Sequence, residues 1–191
     1  EQRVLEANGD GLLTTSLRPH LIFGPRDNHL LPSLLAKARM GRIPQVGDGT
    51  NKVDLTYVED AARAHLLAAD ALAPASPVAG GIYFISQNEP VVLWSWIKEL
   101  LQRLTLPPIR IRIPLGIARA VGSLLTATYR GLNLRGEPPL TPFLASELAQ
   151  NHYYDISAAK RDFGYRPQCT MAEATARTVT WLREQGMGGK G

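Results

Sequence analysis

Cysteine is almost absent from this chain, and that absence excludes whole classes of stabilisation. Among 191 residues only Cys169 is a cysteine, so neither an internal disulfide framework nor a cysteine-based zinc site can form. We expect Cys169 to be an unreactive thiol in a reducing compartment. The chain also opens without a signal-peptide pattern, so we expect a cytoplasmic protein or one at a membrane surface.

Long apolar runs and basic tracts are missing as well. No apolar run reaches the roughly 18 residues that a membrane-spanning helix needs. The net charge of +4 and the pI near 9.4 would favour anionic surfaces, but the cations are scattered and are not interleaved with aromatic residues. We therefore expect no nucleic-acid partner. With 45% hydrophobic and 20% charged residues, the composition is that of an ordinary globular protein.

The chain is organised around residues 17–27, LRPHLIFGPRD. An apolar, threonine-rich run from Leu12 to Leu17 leads into this segment and predicts a buried strand. Pro19 has no N–H for a sheet ladder and marks where the chain leaves the sheet, and Gly24-Pro25 then turns the chain. Because ligands bind at the carboxyl ends of strands in open α/β sheets, we expect the segment to line a crevice. A strand-to-helix connection without a ligand is the alternative.

The rest of the sequence predicts further helices and strands in alternation, which is typical of an α/β fold. Residues 47–57 are expected to form a hairpin, with Val53, Leu55 and Tyr57 on its buried face and Asp54 on the other. Strands are predicted over 82–85 and 109–113. Helices are predicted over 1–7, 28–40, 58–68, 92–104, 115–129, 143–149, 156–163 and 171–184.

Several segments together resemble one enzyme family. LRPHLIFGPRD resembles the LRPxxIYGPxD segment of extended short-chain dehydrogenases. The runs GDGTNKVDLTYVEDAARAHLLAA, GIYFISQNEPVVLW and HYYDISAAKRDFGYRPQCTMAEATARTVTWL resemble the 3β-hydroxysteroid dehydrogenase family, above all its sterol-4-carboxylate 3-dehydrogenase branch. The resemblance runs from Glu1 to about Arg183 and covers the second half of such an enzyme.

This resemblance implies an α/β fold, namely the carboxyl-terminal part of a Rossmann-type parallel sheet plus a small, mostly helical substrate-binding subdomain. Residues 1–90 would be the last strands and helices of the dinucleotide-binding domain, with the hairpin inserted. Residues 91–186 would be a substrate-binding or capping region, and 187–191 a disordered tail.

The resemblance also assigns roles within the crevice. Pro19 and Ile22 match residues that pack beside the nicotinamide of NAD or NADP. The positions that match the substrate pocket are His20, Phe23, Gly24, Pro25 and Tyr57. No metal site is predicted.

The implied function is that of an NAD(P)-dependent oxidoreductase. Its substrate would carry a 3-hydroxyl or 3-keto group on a sterol, a steroid, a long-chain 3-oxo acid or another apolar alcohol. The tyrosine-x-x-x-lysine pair of the family is absent from this chain, and no predicted strand leads through a glycine-rich turn into a helix. The resemblance places both pieces upstream of Glu1, so we name no catalytic residue and expect this chain alone to be inactive. The sequence leaves open the choice between NAD and NADP and the direction of reaction.

Two other functions remain open on the sequence. Sugar-nucleotide epimerases and dehydratases of the same superfamily carry an arginine that grips the nucleotide diphosphate, and this chain has Val53 at that place, which favours an apolar substrate. A non-catalytic module that binds a lipid or a partner is the second alternative.

Two kinds of association are compatible with the sequence. Residues 115–129 are apolar on nearly every face, which would suit peripheral contact with a membrane, a cover over an apolar pocket or an ordinary buried helix. A homodimer is equally compatible with the resemblance.

Overall fold

The computed structural model describes residues 1–9 and 11–189. Within that part of the chain there are eight helices and eight strands. In chain order they are α1 (Gln2–Glu6), β1 (Ser16–Pro19), β2 (Ile22–Phe23), α2 (Leu30–Arg39), β3 (Pro44–Val46), β4 (Lys52–Val53), β5 (Thr56–Tyr57), α3 (Val58–Asp70), β6 (Ile82–Ile85), β7 (Val91–Val92), α4 (Leu93–Arg103), β8 (Ile111–Ile113), α5 (Leu115–Gly131), α6 (Pro142–Glu147), α7 (Ser157–Phe163) and α8 (Met171–Glu184).

These elements fall into two compact units. The first unit consists of Glu1–Pro32, Asp54–Pro90 and Tyr153–Gln185. The second consists of Ser33–Val53, Val91–His152 and the residues from Gly186 onward. The predicted boundary after residue 90 stays a prediction.

The first unit contains two parallel strand pairs. β1 pairs with β6, with Ser16 opposite Ile82 and Pro19 opposite Ile85, and β2 pairs with β5. α3 and α7 bury small and aromatic side chains against β6, and these form the core of the unit. Its buried members are Ala64, Ala68, Val78, Tyr83, Ile85, Ile156, Ala159, Phe163 and Tyr165.

The second unit contains one parallel pair, β3 with β8, and one antiparallel pair, β4 with β7. One face of α4 is buried, and its members are Trp94, Ile97, Leu100 and Leu101, followed by the buried C-cap residue Leu104. α5 and α6 approach closely at Gly122, where a Cβ atom would lie 2.7 Å from the carbonyl carbon of Thr141. The α/β prediction is confirmed, and three of the four strand pairs are parallel.

Helix ends follow the signals in the sequence. The Asp27 carboxylate caps α2 by accepting hydrogen bonds from the backbone N–H groups of His29, Leu30 and Leu31. Thr170 and Glu173 form the reciprocal capping box at the start of α8. Local side-chain chemistry therefore determines where these two helices begin.

The strand predicted over residues 12–17 begins later than expected. Gly9 and Leu12 exchange two backbone hydrogen bonds, so the start of the run closes a tight turn and Leu12 is left 58% exposed. β1 begins at Ser16 and ends at Pro19, as the proline predicts. The prediction that this strand is buried was wrong, since all its residues are half-buried or exposed.

The hairpin predicted over residues 47–57 was wrong. β4 and β5 do not pair with each other, because β4 pairs with β7 and β5 with β2. The alternation of apolar and polar residues suggested one solvated face, yet Asp54 is 1% and Thr56 0% exposed. The alternating pattern implied that water would solvate both side chains. Hydrogen bonds to distant parts of the chain satisfy them instead.

Val4 of α1 is 45% exposed, whereas Trp96 of α4 is 6% exposed. In α5 only Ala118 and Gly122 are buried. Of the three interpretations of residues 115–129, the ordinary buried helix therefore does not hold.

The tail predicted to be disordered comprises residues 187–191, of which Lys190 and Gly191 lie outside the described residues. The Met187 carbonyl accepts a hydrogen bond from Arg39, and the Gly189 N–H donates one to Leu104. Disorder of this tail stays a prediction.

Candidate functional site: a crevice at the ends of parallel strands

The predicted crevice segment runs from the end of the β1–β6 pair through the short β2–β5 pair. After Pro19 the His20 N–H donates to the Ile85 carbonyl at 3.1 Å, which extends the β1–β6 ladder by one bond. The Thr56 Oγ1 lies 2.6 Å from the His20 carbonyl oxygen and 2.9 Å from that of Ile85. This buried hydroxyl therefore ties the end of one strand pair to the other and fixes the shape of the crevice.

His20 is held in one tautomer by Asp54. Its Nδ1 lies 2.5 Å from the Asp54 Oδ1 and 2.9 Å from the Asp54 carbonyl oxygen. Since both atoms are acceptors, Nδ1 carries a proton. The second carboxylate oxygen of Asp54 accepts the Tyr154 N–H at 3.0 Å, and the Tyr154 ring contacts the imidazole edge-on at 5.0 Å between centroids. The imidazole is thus oriented, and sequence analysis missed Asp54 as the residue that does so.

The two positions assigned to the cofactor lie at the surface of this crevice. Pro19 is half-buried at the end of β1, and Ile22 in β2 is 40% exposed. Between them Leu21 has φ of +42°, an unusual conformation for a residue with a side chain. Two accessible apolar residues therefore flank the turn at Leu21.

The predicted pocket residues form a buried wall behind that surface. Phe23 and Tyr57 are 0% and 1% exposed, and their rings meet in a T-shaped contact at 6.0 Å. Burial, reinforced by the Glu59 carboxylate, raises the pKa of Tyr57. Gly24 packs directly against this wall, and Pro25 is half-buried beside it.

A groove of about 450 Å³ opens beside β2. The apolar residues that line it are Leu21, Ile22, Phe23, Leu30 and Val58. The polar residues that line it, here called its rim, are Arg26, Asp27, Asn28 and His29. Of the predicted site residues, Ile22 and Phe23 line the groove. The other five do not: Pro19, His20, Gly24, Pro25 and Tyr57. The sequence did not predict the rim.

A buried polar cluster that the sequence did not predict begins at the Tyr57 backbone. The Tyr57 N–H donates to the Gln87 side-chain oxygen at 3.1 Å, and the Gln87 amide nitrogen donates to the Asp60 carboxylate at 2.8 Å. Asp60 also accepts the Gln168 N–H at 2.9 Å. Asp60 lies in the first turn of α3, where acids are common, and nothing in the local pattern identifies its distant donors.

Cys169 belongs to the same buried cluster. Its carbonyl accepts a hydrogen bond from Gln87 at 2.9 Å. Burial raises the pKa of the Cys169 thiol to about 11, and the nearby Asp60 charge adds to this shift. A thiol of this kind is protonated at neutral pH, which supports the expectation that it is unreactive.

One glycine-rich stretch of the sequence has the spacing of a dinucleotide motif but the wrong context. Residues 186–191, GMGGKG, fit G-x-G-x-x-G letter for letter. They follow helix α8 instead of a strand, and a pyrophosphate turn requires a strand before it and a helix after it. We therefore assign no cofactor role to this stretch.

The parallel strand pairs and the helices between them form a Rossmann-type α/β fold. The fold is similar to that of dTDP-glucose 4,6-dehydratase DesIV from Streptomyces venezuelae, solved with NAD bound. The TM-score is 0.59 at 23% identity, over 91% of this chain and 45% of that one. At this identity the likeness concerns the fold alone.

The chain belongs to the 3-beta hydroxysteroid dehydrogenase/isomerase family, whose sequence pattern matches residues 1–115. It is 47% identical over 177 residues to the 2-alkyl-3-oxoalkanoate reductase of Stenotrophomonas maltophilia, a match that covers 93% of this chain and 54% of that protein. It is 36% identical over 184 residues to the decarboxylating sterol-4-alpha-carboxylate 3-dehydrogenase of Mus musculus, covering 94% and 51%. The family prediction is confirmed, and the chain spans about half the length of these relatives.

Proposed function

We propose that the full-length protein containing this chain is an NAD(P)-dependent oxidoreductase that interconverts a 3-hydroxyl and a 3-oxo group on an apolar substrate. The observation that carries the proposal is an apolar groove beside an exposed Ile22, at the strand ends of a chain that belongs to this family. Hydride transfer requires a nicotinamide ring and a substrate carbon held together away from water. An accessible apolar edge next to an apolar groove is suited to that task.

The residues of the crevice fit a nicotinamide cofactor. NAD or NADP, when bound, supplies or accepts the hydride. Pro19 and Ile22 would pack against the nicotinamide end, because both are accessible and apolar at the edge of the unit. Phe23 and Tyr57 support this surface from behind, and the pair of Asp54 and His20 keeps the turn between Pro19 and Ile22 in place.

The names of the two relatives share one chemical feature. A 2-alkyl-3-oxoalkanoate and a sterol-4-carboxylate with a 3-hydroxyl both carry the reacting oxygen on the carbon next to the one that bears the carboxylate. Both also carry a large apolar skeleton. We propose that the substrate belongs to this class of substituted 3-oxo or 3-hydroxy acids, and the higher identity to the reductase favours an acyclic 3-oxo acid among the substrates expected from the sequence.

The test is turnover by the full-length enzyme. We expect consumption of NADH or NADPH, followed by its absorbance, when a long-chain 2-alkyl-3-oxoalkanoate is added. We expect the 191-residue chain alone to be inactive, since it contains no tyrosine-x-x-x-lysine pair. Full-length protein that binds the cofactor but turns over no apolar 3-oxo or 3-hydroxy compound would contradict the proposal.

A sugar-nucleotide substrate is less well supported. Val53, at the position where such enzymes carry an arginine, is fully buried in β4, so it offers a diphosphate neither charge nor hydrogen bond. We expect no turnover of dTDP- or UDP-sugars. The expectation of a homodimer stays a prediction, which light scattering of the full-length protein would test.

We further propose that the full-length protein contacts a membrane surface through residues 115–129. No described helix is long and apolar enough to cross a bilayer. Ile117, Val121 and Leu124 of α5 are 56%, 44% and 68% exposed, and their spacing places them on one helix face. Such a stripe is typical of helices that lie in a membrane interface. Sedimentation with anionic vesicles tests this, with Leu124→Ser expected to weaken binding and wild-type protein that stays in the supernatant as the contrary result.

A further inference from the structure

We propose that the groove beside β2 holds the apolar chain of the substrate and that Arg26 at its rim binds the substrate carboxylate. The proposal rests on the function proposed above and deepens it, because it assigns the two features of the acid to particular residues. It makes Arg26 the residue that distinguishes an acid from a neutral ketone.

The shape of the groove fits an alkyl chain. Its volume is about 450 Å³, and the apolar side chains that line it include Leu21, Ile22 and Leu30, all of which retain exposed surface. Covering such surface with a ligand is favourable by about fourfold in affinity for each buried methylene. Because Ile22 is the residue proposed to face the nicotinamide, a chain in this groove would have its reacting end beside the cofactor.

One residue that lines the groove carries a permanent positive charge. This residue is Arg26, and Asp27 and His29 line the groove beside it. The Asp27 carboxylate already accepts three backbone hydrogen bonds at the start of α2. Across residues 1–9 and 11–189 no ion pair involves Arg26. A guanidinium can bind a carboxylate through two parallel hydrogen bonds, which gives strength and orientation together.

The backbone conformation at Arg26 also supports a functional role for this residue. Its φ of +65° lies in the left-handed region, where glycine or asparagine is favoured over a long side chain. Backbone preference therefore does not account for an arginine at this position. A residue kept in a disfavoured conformation at the mouth of a groove is a reason to look for a function in its side chain.

The same conformation provides a well-controlled experiment. Arg26→Gly removes the guanidinium and places at this position a residue that adopts a positive φ without strain. The variant should therefore fold at least as well as the wild type. Arg26→Lys keeps the charge without the planar fork. Arg63→Ala, on the exposed face of α3, removes a cation elsewhere in the same unit and serves as the matched control.

The assay compares kcat/KM of the full-length enzyme for a series of 2-alkyl-3-oxoalkanoates of increasing chain length and for their methyl esters. We expect Arg26→Gly to lower kcat/KM for the acids by about 10- to 100-fold, the effect of losing a charge-assisted hydrogen bond. The esters should change by less than about twofold on the same reasoning, Arg26→Lys should fall between, and Arg63→Ala should match the wild type. For the wild type, kcat/KM should rise with chain length until the groove is filled.

The outcomes separate this proposal from the function on which it rests. If the wild type reduces the acids and Arg26→Gly reduces them equally well, the Arg26 assignment is wrong and the proposed function stands. An equal loss for acids and esters also overturns it, because the side chain then does not recognise the carboxylate. If the wild type turns over none of the acids with either cofactor, both proposals fail. Cofactor binding and thermal melting of each variant confirm that it is folded.

Discussion

Replacing Gly24 by alanine should destabilise the crevice through two separate effects. The Gly24 φ of +142° lies in a region that residues with a side chain rarely adopt, at a cost of about 1–3 kcal/mol. A Cβ atom there would also lie 2.6 Å from the Val58 Cγ1 and 3.1 Å from the Tyr57 ring. Val58 is β-branched and stiff, and Tyr57 is buried, so neither can move aside easily. Overpacking of this kind costs about 1–3 kcal/mol, which gives a total of about 2–6 kcal/mol.

Urea denaturation of the full-length protein measures this loss, and two further variants separate its parts. Gly41 also has a positive φ, +61°, but a Cβ atom added there would meet no neighbouring atom within 4 Å, so Gly41→Ala should cost only about 1–2 kcal/mol. In the double variant Gly24→Ala/Val58→Ala, the steric part should be recovered, with a favourable coupling of about 1–3 kcal/mol. The reasoning is refuted if Gly24→Ala costs no more than Gly41→Ala, or if the two substitutions in the pair simply add.

Three other predictions concern the first unit. Asp60→Ala should lower the free energy of unfolding by about 2–4 kcal/mol in denaturant titration, because Gln87 and a backbone N–H lose a buried acceptor; a loss below about 1 kcal/mol would contradict this. Hydrogen bonds from Thr170 lower the pKa of Glu173. The stabilisation by Glu173 is therefore present above the unfolded-state pKa and is lost as the pH falls through the lower folded-state pKa. The stability difference between wild type and Glu173→Gln should shrink on acidification, and a pH-independent difference would disprove this. Alkylation of Cys169 by iodoacetamide at neutral pH should be at least about 100-fold slower in the folded protein than in urea, because its pKa is raised to about 11, and mass spectrometry that finds equal rates would exclude a protected thiol.

Features determined by neighbours in sequence could be predicted, and features determined by distant partners could not. Pro19 ends β1 and Asp27 caps α2 because each acts on backbone within a few residues of itself. Asp54 and Thr56 occupied the polar positions of an alternating pattern, yet both are buried. Their partners, such as His20 and Ile85, lie 29 or more residues away in the chain, and no local periodicity contains that information.

The same distinction applies to the candidate site. The segment around Ile22 could be located from the motif and from the rule that ligands bind at strand ends. The groove and the position of Arg26 on its rim could not, because they depend on how α2 begins relative to β2. A single arginine after a proline also looks like any other solvated charge.

The run of unusual backbone angles in the crevice has a consequence for how the site can change during evolution. Leu21, Gly24 and Arg26 have φ values of +42°, +142° and +65° within six residues, so the path of this loop is set residue by residue. An insertion or deletion would shift the later residues of the loop by one position, so each would have to adopt the backbone angle that suits its neighbour. Exchanging a side chain at the rim leaves the backbone path of the loop intact. If the groove binds substrate as proposed, new substrate preferences should arise by point substitution at positions such as Arg26 and His29. Loop-length variants should be missing from libraries selected for folded protein.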